Sequence, residues 1–182
     1  MSRLVPLQPP YASDIRQQFD RIMHGAPPLV LFRVMAAHAR AWEKLRAGSL
    51  LDGGPLSLRE REIVIDRTCA LNRCEYEWGV HVAIFAAAAK LTDEQVRATV
   101  LGSADATCWS AAEQALIAAV DALHHRATLD DAEFAALAAH YDDDRILEII
   151  MLCGAYRTVS YLANGLRLAL EEKAARFPAG AK

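Results

Sequence analysis

The sequence predicts an all-α protein. Almost every segment repeats its apolar residues with a helical period, and no run alternates apolar and polar residues as a half-buried strand does. Helix start signals also recur, in which a Ser or Thr is followed three residues later by Glu or Gln. Three such capping boxes are Ser57 with Glu60, Thr92 with Gln95, and Ser110 with Glu113. Periodicity and caps therefore agree on helices.

The N-terminal part is expected to form two helices. Ser13 and Gly25 bound the first of them. Pro27 and Pro28 favour the start of the second, because proline is tolerated in the first helical turn. A glycine at position 48 predicts that this second helix ends near Arg46.

Ser57 opens the next helix, after a loop that is rich in Gly and Pro. This helix is expected to fade near Asn72, a residue that suits an N-cap better than a helix interior. Glu75 follows Asn72 by three residues, so the pair resembles a further capping box. We therefore expect a new helix to begin at Asn72, with Cys74 at its second position.

Three further segments complete the helical pattern. Thr92 and Gly102 bound one helix, and Ser110 opens the next. Thr128 is expected to open a short helix that ends near His140. The carboxylates of residues 142–144 suit the start of a last helix, because they face the positive end of its dipole, and this helix is expected to run to about position 175.

Length and composition predict one folded domain over residues 1–182. The chain has a mass of 20.0 kDa, 53% hydrophobic residues and 24% charged residues, which is typical of globular proteins. Its 20 basic and 23 acidic residues give a net charge of −3, too balanced to attract a polyanion. Nucleic acid is therefore not expected as a partner.

The sequence also predicts a cytoplasmic protein without a membrane span. The longest apolar stretches, such as 80–89 and 146–155, are short and interrupted by charge. The first ten residues lack the apolar region of a secretory signal. Four scattered cysteines favour a reducing compartment over a disulfide scaffold. They are Cys69, Cys74, Cys108 and Cys153.

Reactive residues concentrate between positions 57 and 81. Cys74 is the best candidate for a reactive thiol, because the free amides and the dipole at a helix start favour a thiolate. Glu77 and His81 follow at i+3 and i+7, which places all three on one helix face. Glu62 on the preceding helix would complete a relay if it faced His81. Cys69 is about 140° around the helix axis from Cys74, so it is not expected to pair with it.

Other residues in and around this segment have simpler explanations. Asp66 and Arg67 are expected to form a local charge pair on a solvated face. Tyr156 on the last helix could line a pocket, but packing is the expected role. Glu77 and His81 could also help to ligate a metal, with Glu62 or Cys74 as a third ligand, although we expect no metal site.

The motif resembles the carboxymuconolactone decarboxylase superfamily, which includes the alkylhydroperoxidase AhpD. The peroxidase branch has Glu, eleven residues, Cys, two residues, Cys, three residues and His. Glu62, Cys74 and His81 match three of these positions, whereas Glu77 stands where the branch has its second cysteine. The resemblance is most specific over residues 57–101. It implies an AhpD-like helical fold, a homo-oligomer and no cofactor.

The resemblance leaves three functions open. The first is a thiol-dependent peroxidase-like oxidoreductase, with Cys74 as redox thiol, His81 as base, and Glu62 and Glu77 as relay. A small hydroperoxide would be its substrate and an external thiol its reductant. The second is a cofactor-free decarboxylase, lyase or isomerase for a small carboxylic acid or lactone, with His81 and Glu62 as base and acid. The third is a non-catalytic member of the family.

Overall fold

A computed structural model of the chain describes residues 2–181, and within that range the regular structure is entirely helical. The predicted all-α fold is therefore confirmed. The helices are α1 (Ser13–Met23), α2 (Val30–Ala36), α3 (Ala39–Ala47), α4 (Leu58–Leu71), α5 (Glu75–Phe85), α6 (Asp93–Leu101), α7 (Ala111–Arg126), α8 (Asp131–Ala138) and α9 (Asp143–Gly165).

Capping boxes start α4, α6 and α7 as the sequence predicts. In each box the side chain of the N-cap residue accepts from the amide of the third helical residue, whose own side chain accepts from the N-cap amide. The caps are Ser57, Thr92 and Ser110. The short helix α8 is capped by Asp130 with Glu133, so the predicted start at Thr128 is two residues too early.

Helix α4 lies at the centre of the molecule. It packs against α5, α6, α7 and α9, and every residue from Glu62 to Cys69 is buried. A helix that is covered on all sides carries its polar side chains into the interior, where each of them needs a partner. This position of α4 explains why the candidate site is assembled around it.

The first three helices form a separate layer, the N-terminal layer (α1–α3). The predicted second helix is wrong as one unit, because the chain leaves the helical conformation at His38, whose backbone is extended, and α3 begins after it. The break lets Trp42 of α3 pack edge-on against Phe19 of α1, with ring centroids 5.6 Å apart. Phe32 of α2 also packs against the Trp42 indole, with ring centroids 5.7 Å apart.

The last helix ends about ten residues earlier than predicted. Arg167 adopts a left-handed backbone (φ 51°), and its amide donates to the Asn164 carbonyl. The Leu168 amide donates to the Ala163 carbonyl, which completes a Schellman motif and ends α9 at Gly165. Position 167 is not a glycine, so the sequence does not predict this turn.

The C-terminal segment, residues 166–181, packs back onto α5. The amide of Ala175 donates to the Gly79 carbonyl (2.9 Å), and Phe177 packs edge-on against Trp78 at 5.1 Å. A Cβ on Gly79 would collide with the carbonyl oxygen of Ala175. Gly79 is therefore required by the close approach of two backbones. Glu171 also accepts from the Tyr76 hydroxyl (2.5 Å).

By its length and composition alone, helix α9 could cross a membrane, and it is the one such helix among the described residues. In this structure it packs along α4, α5 and α7. A third of its most apolar stretch is buried there. Cytoplasmic localisation stays a prediction.

Candidate functional site

The turn between α4 and α5 positions the candidate residues. The Arg73 amide donates to the Ala70 carbonyl and the Cys74 amide to the Cys69 carbonyl, each at 2.9 Å, and Arg73 has a left-handed backbone (φ 53°). These bonds define a Schellman motif that ends α4. Asn72 is therefore the C-cap of α4, and the predicted helix start there is wrong. Cys74 is the N-cap of α5 instead of its second residue.

Asn72 fails as an N-cap because its side chain is engaged elsewhere. Its amide group donates back to the Thr68 carbonyl (2.7 Å), one turn earlier in α4. Glu75, the other half of the expected capping box, accepts from the Phe177 amide (3.0 Å) of the C-terminal segment. A tertiary contact thus replaces the local one that the sequence indicates.

His81 joins two carboxylates. Its Nδ1 lies 2.7 Å from Glu62 Oε2, across the α4–α5 interface, and its Nε2 lies 3.5 Å from Glu77 Oε1, one turn earlier on α5. All three side chains are buried. The structure therefore brings Glu62, Glu77 and His81 together, as their spacing predicts. We call these three residues the carboxylate–imidazole relay.

Aromatic and cationic side chains enclose this relay. Tyr156 of α9 packs edge-on against the His81 ring at 5.0 Å, and the Phe85 ring lies 5.3 Å from it. Arg61 binds the second oxygen of Glu62 (2.9 Å) and stacks over Phe85. The sequence suggests a packing role for Tyr156. The structure shows that Tyr156 packs against the relay itself and also lines a cavity.

The protonation of His81 is set by competing effects. Burial alone would lower the pKa of His81, because it disfavours the charged imidazolium. The hydrogen bonds and charges of Glu62 and Glu77 outweigh burial and raise the pKa of His81 to about 10. The imidazole is therefore a cation at neutral pH, held between two carboxylates.

Asp66 is a further buried carboxyl close to the relay. Among the described residues, neither of its oxygens has a hydrogen-bond partner. Burial raises the pKa of Asp66 well above its ordinary range, the charge of His81 opposes this rise, and Glu62 adds to it. Asp66 is one helical turn from Glu62 on α4, and that i,i+4 spacing was the signal in the sequence that could have linked the two.

Arg67 does not pair with Asp66. It binds Asp121 of α7 through two parallel bonds (2.6 and 2.8 Å), and it also donates to the carbonyls of Thr99 and Gly102. Arg67 is 7% exposed. The predicted charge pair on a solvated face is therefore wrong, because α4 is covered on that side as well.

A cavity of about 830 Å³ lies between the N-terminal layer and the helices α5 and α9. Its walls are mostly apolar, and Glu77 and Tyr156 bring the relay to its inner side. Glu77 Oε2 is buried and has no hydrogen-bond partner among residues 2–181. The apolar lining includes Leu31, Phe32, Met35, Trp42, Val159 and Leu162. Glu77 is therefore the relay residue that a bound molecule would meet.

Cys74 is closed off from solvent and lies outside the lining of this cavity. Burial raises the pKa of the Cys74 thiol, the backbone amides of Glu77 and Tyr76 oppose the rise, and the Glu77 carboxylate adds to it. The expected depression of this pKa is therefore wrong. His81 is not among the groups that act on the thiol, because Cys74 sits at the far end of α5.

The relay is not arranged as a metal centre. The carboxylates of Glu62 and Glu77 lie on opposite ring nitrogens of His81, so they do not converge on one point. Within the described part of the chain, no three His, Cys, Asp or Glu side chains are grouped to hold a metal ion.

The helices that carry the relay fall in a segment with a recognisable family pattern. Residues 36–121 match the sequence profile of the carboxymuconolactone decarboxylase family. The match covers slightly less than half of the chain. The matched segment contains Glu62, Cys74, Glu77 and His81, whereas Tyr156 lies beyond it. No curated protein sequence matches the chain significantly.

Several solved structures share the AhpD-like fold. An uncharacterised peroxidase-related protein from Silicibacter sp. TM1040 is 16% identical (TM-score 0.83; 94% of this chain and 93% of that chain). One from Ralstonia eutropha JMP134, with an alkylhydroperoxidase AhpD core, is 20% identical (TM-score 0.83; 94% and 93%). A Cys→Ala variant of the debrominase Bmp8, in complex with 2,3,4-tribromopyrrole, is 15% identical (TM-score 0.74; 95% and 94%). At these identities the likeness concerns the fold.

Proposed function

We propose that this protein belongs to the carboxymuconolactone decarboxylase family and is a cofactor-free acid–base enzyme that moves a proton on a small organic acid or lactone. The observation that carries the proposal is the position of Glu77. It is the one carboxylate that both lines the inner wall of the cavity and contacts His81. Glu77 would be the catalytic residue, and His81 and Glu62 would be positioning residues behind it.

The relay supports a carboxylate base. Oε1 of Glu77 faces the His81 imidazolium, which leaves Oε2 without a partner among the described residues. Oε2 can take a proton from a carbon beside a carbonyl group, and the neighbouring imidazolium then stays paired with Glu62. Return of the proton to another carbon completes an isomerisation. Delivery of a proton to the carbanion left after loss of CO₂ completes a decarboxylation.

The exposed charges of the cavity lining support an acidic substrate. Three exposed basic side chains line the cavity, against one exposed acidic side chain, Glu43, which pairs with Lys44. A carboxylate on the substrate would be attracted to these basic side chains while its apolar part enters the cavity. The basic residues are Arg21, Lys44 and Arg46. The bound tribromopyrrole of the debrominase supports the choice of a small organic molecule for this fold.

Proton exchange in D₂O tests this function without knowledge of the product. A panel of small carboxylic acids and lactones is incubated with the protein, and NMR follows deuterium entry next to the carbonyl group. We expect Glu77→Gln to abolish the exchange, a loss of at least about a hundredfold. Glu172→Gln, on the exposed C-terminal segment, is the matched control and should exchange as the wild type does. Equal exchange by Glu77→Gln and the wild type would refute the proposal.

Thiol-dependent reduction of hydroperoxides through Cys74 is the second candidate. It is supported by the peroxidase-related proteins that share the fold, whereas the net rise in the pKa of the Cys74 thiol opposes it. An external thiol would have to supply the electrons. Consumption of a hydroperoxide that is lost in Cys74→Ser and kept in Glu77→Gln would favour this candidate over the acid–base function.

A further inference from the structure

Cys69 and Cys74 occupy matched positions in the turn that ends α4. In the Schellman motif described above, Cys69 is the third residue from the C-cap on the helix side, and Cys74 is the second residue beyond it. Side chains at these two positions commonly contact each other across the turn. Both cysteines are free and both are fully buried.

The backbone bond of the motif limits the distance between the two residues. The Cys74 amide nitrogen lies 2.9 Å from the Cys69 carbonyl oxygen. Adding the covalent bonds that join these atoms to their Cα atoms gives an upper limit of about 7 Å, and the bends at the nitrogen and oxygen shorten it. Disulfides need a Cα separation of about 4.4 to 6.8 Å. The motif thus holds the pair in that range.

The surroundings of the two thiols agree with a shared environment. Burial raises the pKa of both thiols, and the Ser160 hydroxyl of α9 opposes that rise at each of them. The charge of Cys74 also raises the pKa of Cys69. One hydroxyl therefore neighbours both sulfurs, which places them on the same side of the turn.

We propose that Cys69 and Cys74 form a reversible disulfide, made by a small hydroperoxide and broken by an external dithiol. This inference rests on the second candidate function, for which it names the resolving cysteine, and it does not require the acid–base chemistry of Glu77. It also replaces the expectation that Cys69 cannot pair with Cys74. That expectation used the angle on a continuous helix, whereas the left-handed Arg73 turns the chain back.

The chemistry balances over two steps. The Cys74 sulfur attacks one oxygen of the hydroperoxide, the O–O bond breaks, and an alcohol or water leaves, which gives a sulfenic acid. The Cys69 sulfur then attacks the Cys74 sulfur, and the oxygen departs as water with the thiol proton. Two thiols lose two electrons and two protons, and the hydroperoxide gains both. A dithiol reverses the oxidation through a mixed disulfide.

Burial selects the oxidant. Both thiols are buried, and neither lines the cavity. Hydrogen peroxide is about the size of water, so small openings of the structure admit it more readily than they admit the bulky reagent DTNB. We expect the native protein to lose these two thiols to hydrogen peroxide faster than to DTNB, and unfolded protein to show no such preference.

Peptide mapping tests the proposal on the wild-type chain. Arg73 lies between the two cysteines, so trypsin separates them into the peptides Thr68–Arg73 and Cys74–Lys90. After treatment of the reduced protein with one equivalent of hydrogen peroxide, we expect these peptides to be linked and the intact mass to fall by about 2 Da. Dithiothreitol should restore the original mass.

Variants separate the pair from the other cysteines. Cys153→Ser should form the same linked peptides, whereas Cys69→Ser should leave Cys74 as a sulfenic or sulfinic acid. A link that contains Cys108 or Cys153, or Cys74 oxidised while Cys69 stays reduced in the wild type, would overturn the proposal. If Cys69→Ser does not fold, the wild-type map decides alone. Glu77→Gln should still form the disulfide, so failure of the acid–base proposal remains a separate result.

Discussion

Replacement of Glu62 by Gln tests the buried ion pair on which the relay depends. Glu62→Gln keeps the side-chain volume but removes the negative charge that lies 2.7 Å from His81 Nδ1. Without this charge, burial has the larger effect on the imidazole, so we expect the pKa of His81 to fall from about 10 towards or below 6.5. Removal of one partner of a buried ion pair typically lowers the free energy of unfolding of the protein by about 3 to 5 kcal/mol.

The pH dependence of the free energy of unfolding gives a second estimate of what the ion pair contributes. A pKa of about 10 in the folded protein, against 6.5 in the unfolded chain, corresponds to about 5 kcal/mol at about 1.4 kcal/mol per pH unit. Because the pKa is raised on folding, this stability is fully present below pH 6.5 and is lost as the pH rises to about 10. Glu62→Gln should remove most of this decrease in stability between pH 6.5 and about 10.

Two measurements check the reasoning. NMR titration of the imidazole, assigned with a His81→Gln variant, reports the pKa of His81 directly. Urea unfolding at pH 6, 8 and 10 reports the free energy of unfolding for the wild type, Glu62→Gln and the exposed control Glu172→Gln. The reasoning is refuted if His81 titrates alike in the wild type and Glu62→Gln, or if their unfolding free energies change in parallel with pH.

Three further predictions concern the rest of the molecule. Asp66→Asn should gain stability relative to the wild type as the pH rises, because a carboxyl whose pKa is raised by burial opposes folding above its unfolded pKa, and parallel urea profiles would contradict this. Gly79→Ala should release the C-terminal segment, cost about 1 to 3 kcal/mol and shift the fluorescence of Trp78, whereas an unchanged spectrum would show that the segment tolerates the methyl group. Light scattering should give at least twice 20.0 kDa, since α9 leaves Leu147 and Met151 more than half exposed, and a monomer at micromolar concentration would contradict self-association.

Three of the helix starts were predictable because their signals are local. Ser57, Thr92 and Ser110 each find their partner three residues later, so no tertiary contact decides the cap. The end of α4 near Asn72 was predicted, because Asn disfavours a helix interior. The end of α9 was not, because Arg167 takes the left-handed conformation that glycine usually marks.

The candidate site was predictable where helical spacing decides it. Glu77 and His81 are one turn apart on α5, and the short turn after α4 returns the chain so that Glu62 faces them. The position of Cys74 was predicted wrongly because Glu75 binds the distant Phe177 amide instead of capping α5. The burial of Asp66 depends on helices that are far away in sequence, so its spacing from Glu62 alone did not show that its carboxyl is buried.

The contact between Gly79 and Ala175 has a practical consequence for handling the protein. Glu77 faces the cavity, and two residues later Gly79 receives the C-terminal segment on another side of α5. A chain shortened to Gly165 would expose Trp78 and leave Tyr76 without its Glu171 partner, beside Glu77 on the same helix. Purification tags and surface-immobilisation linkers therefore belong at the other terminus, and activity measured with a C-terminal fusion needs comparison with the unfused chain.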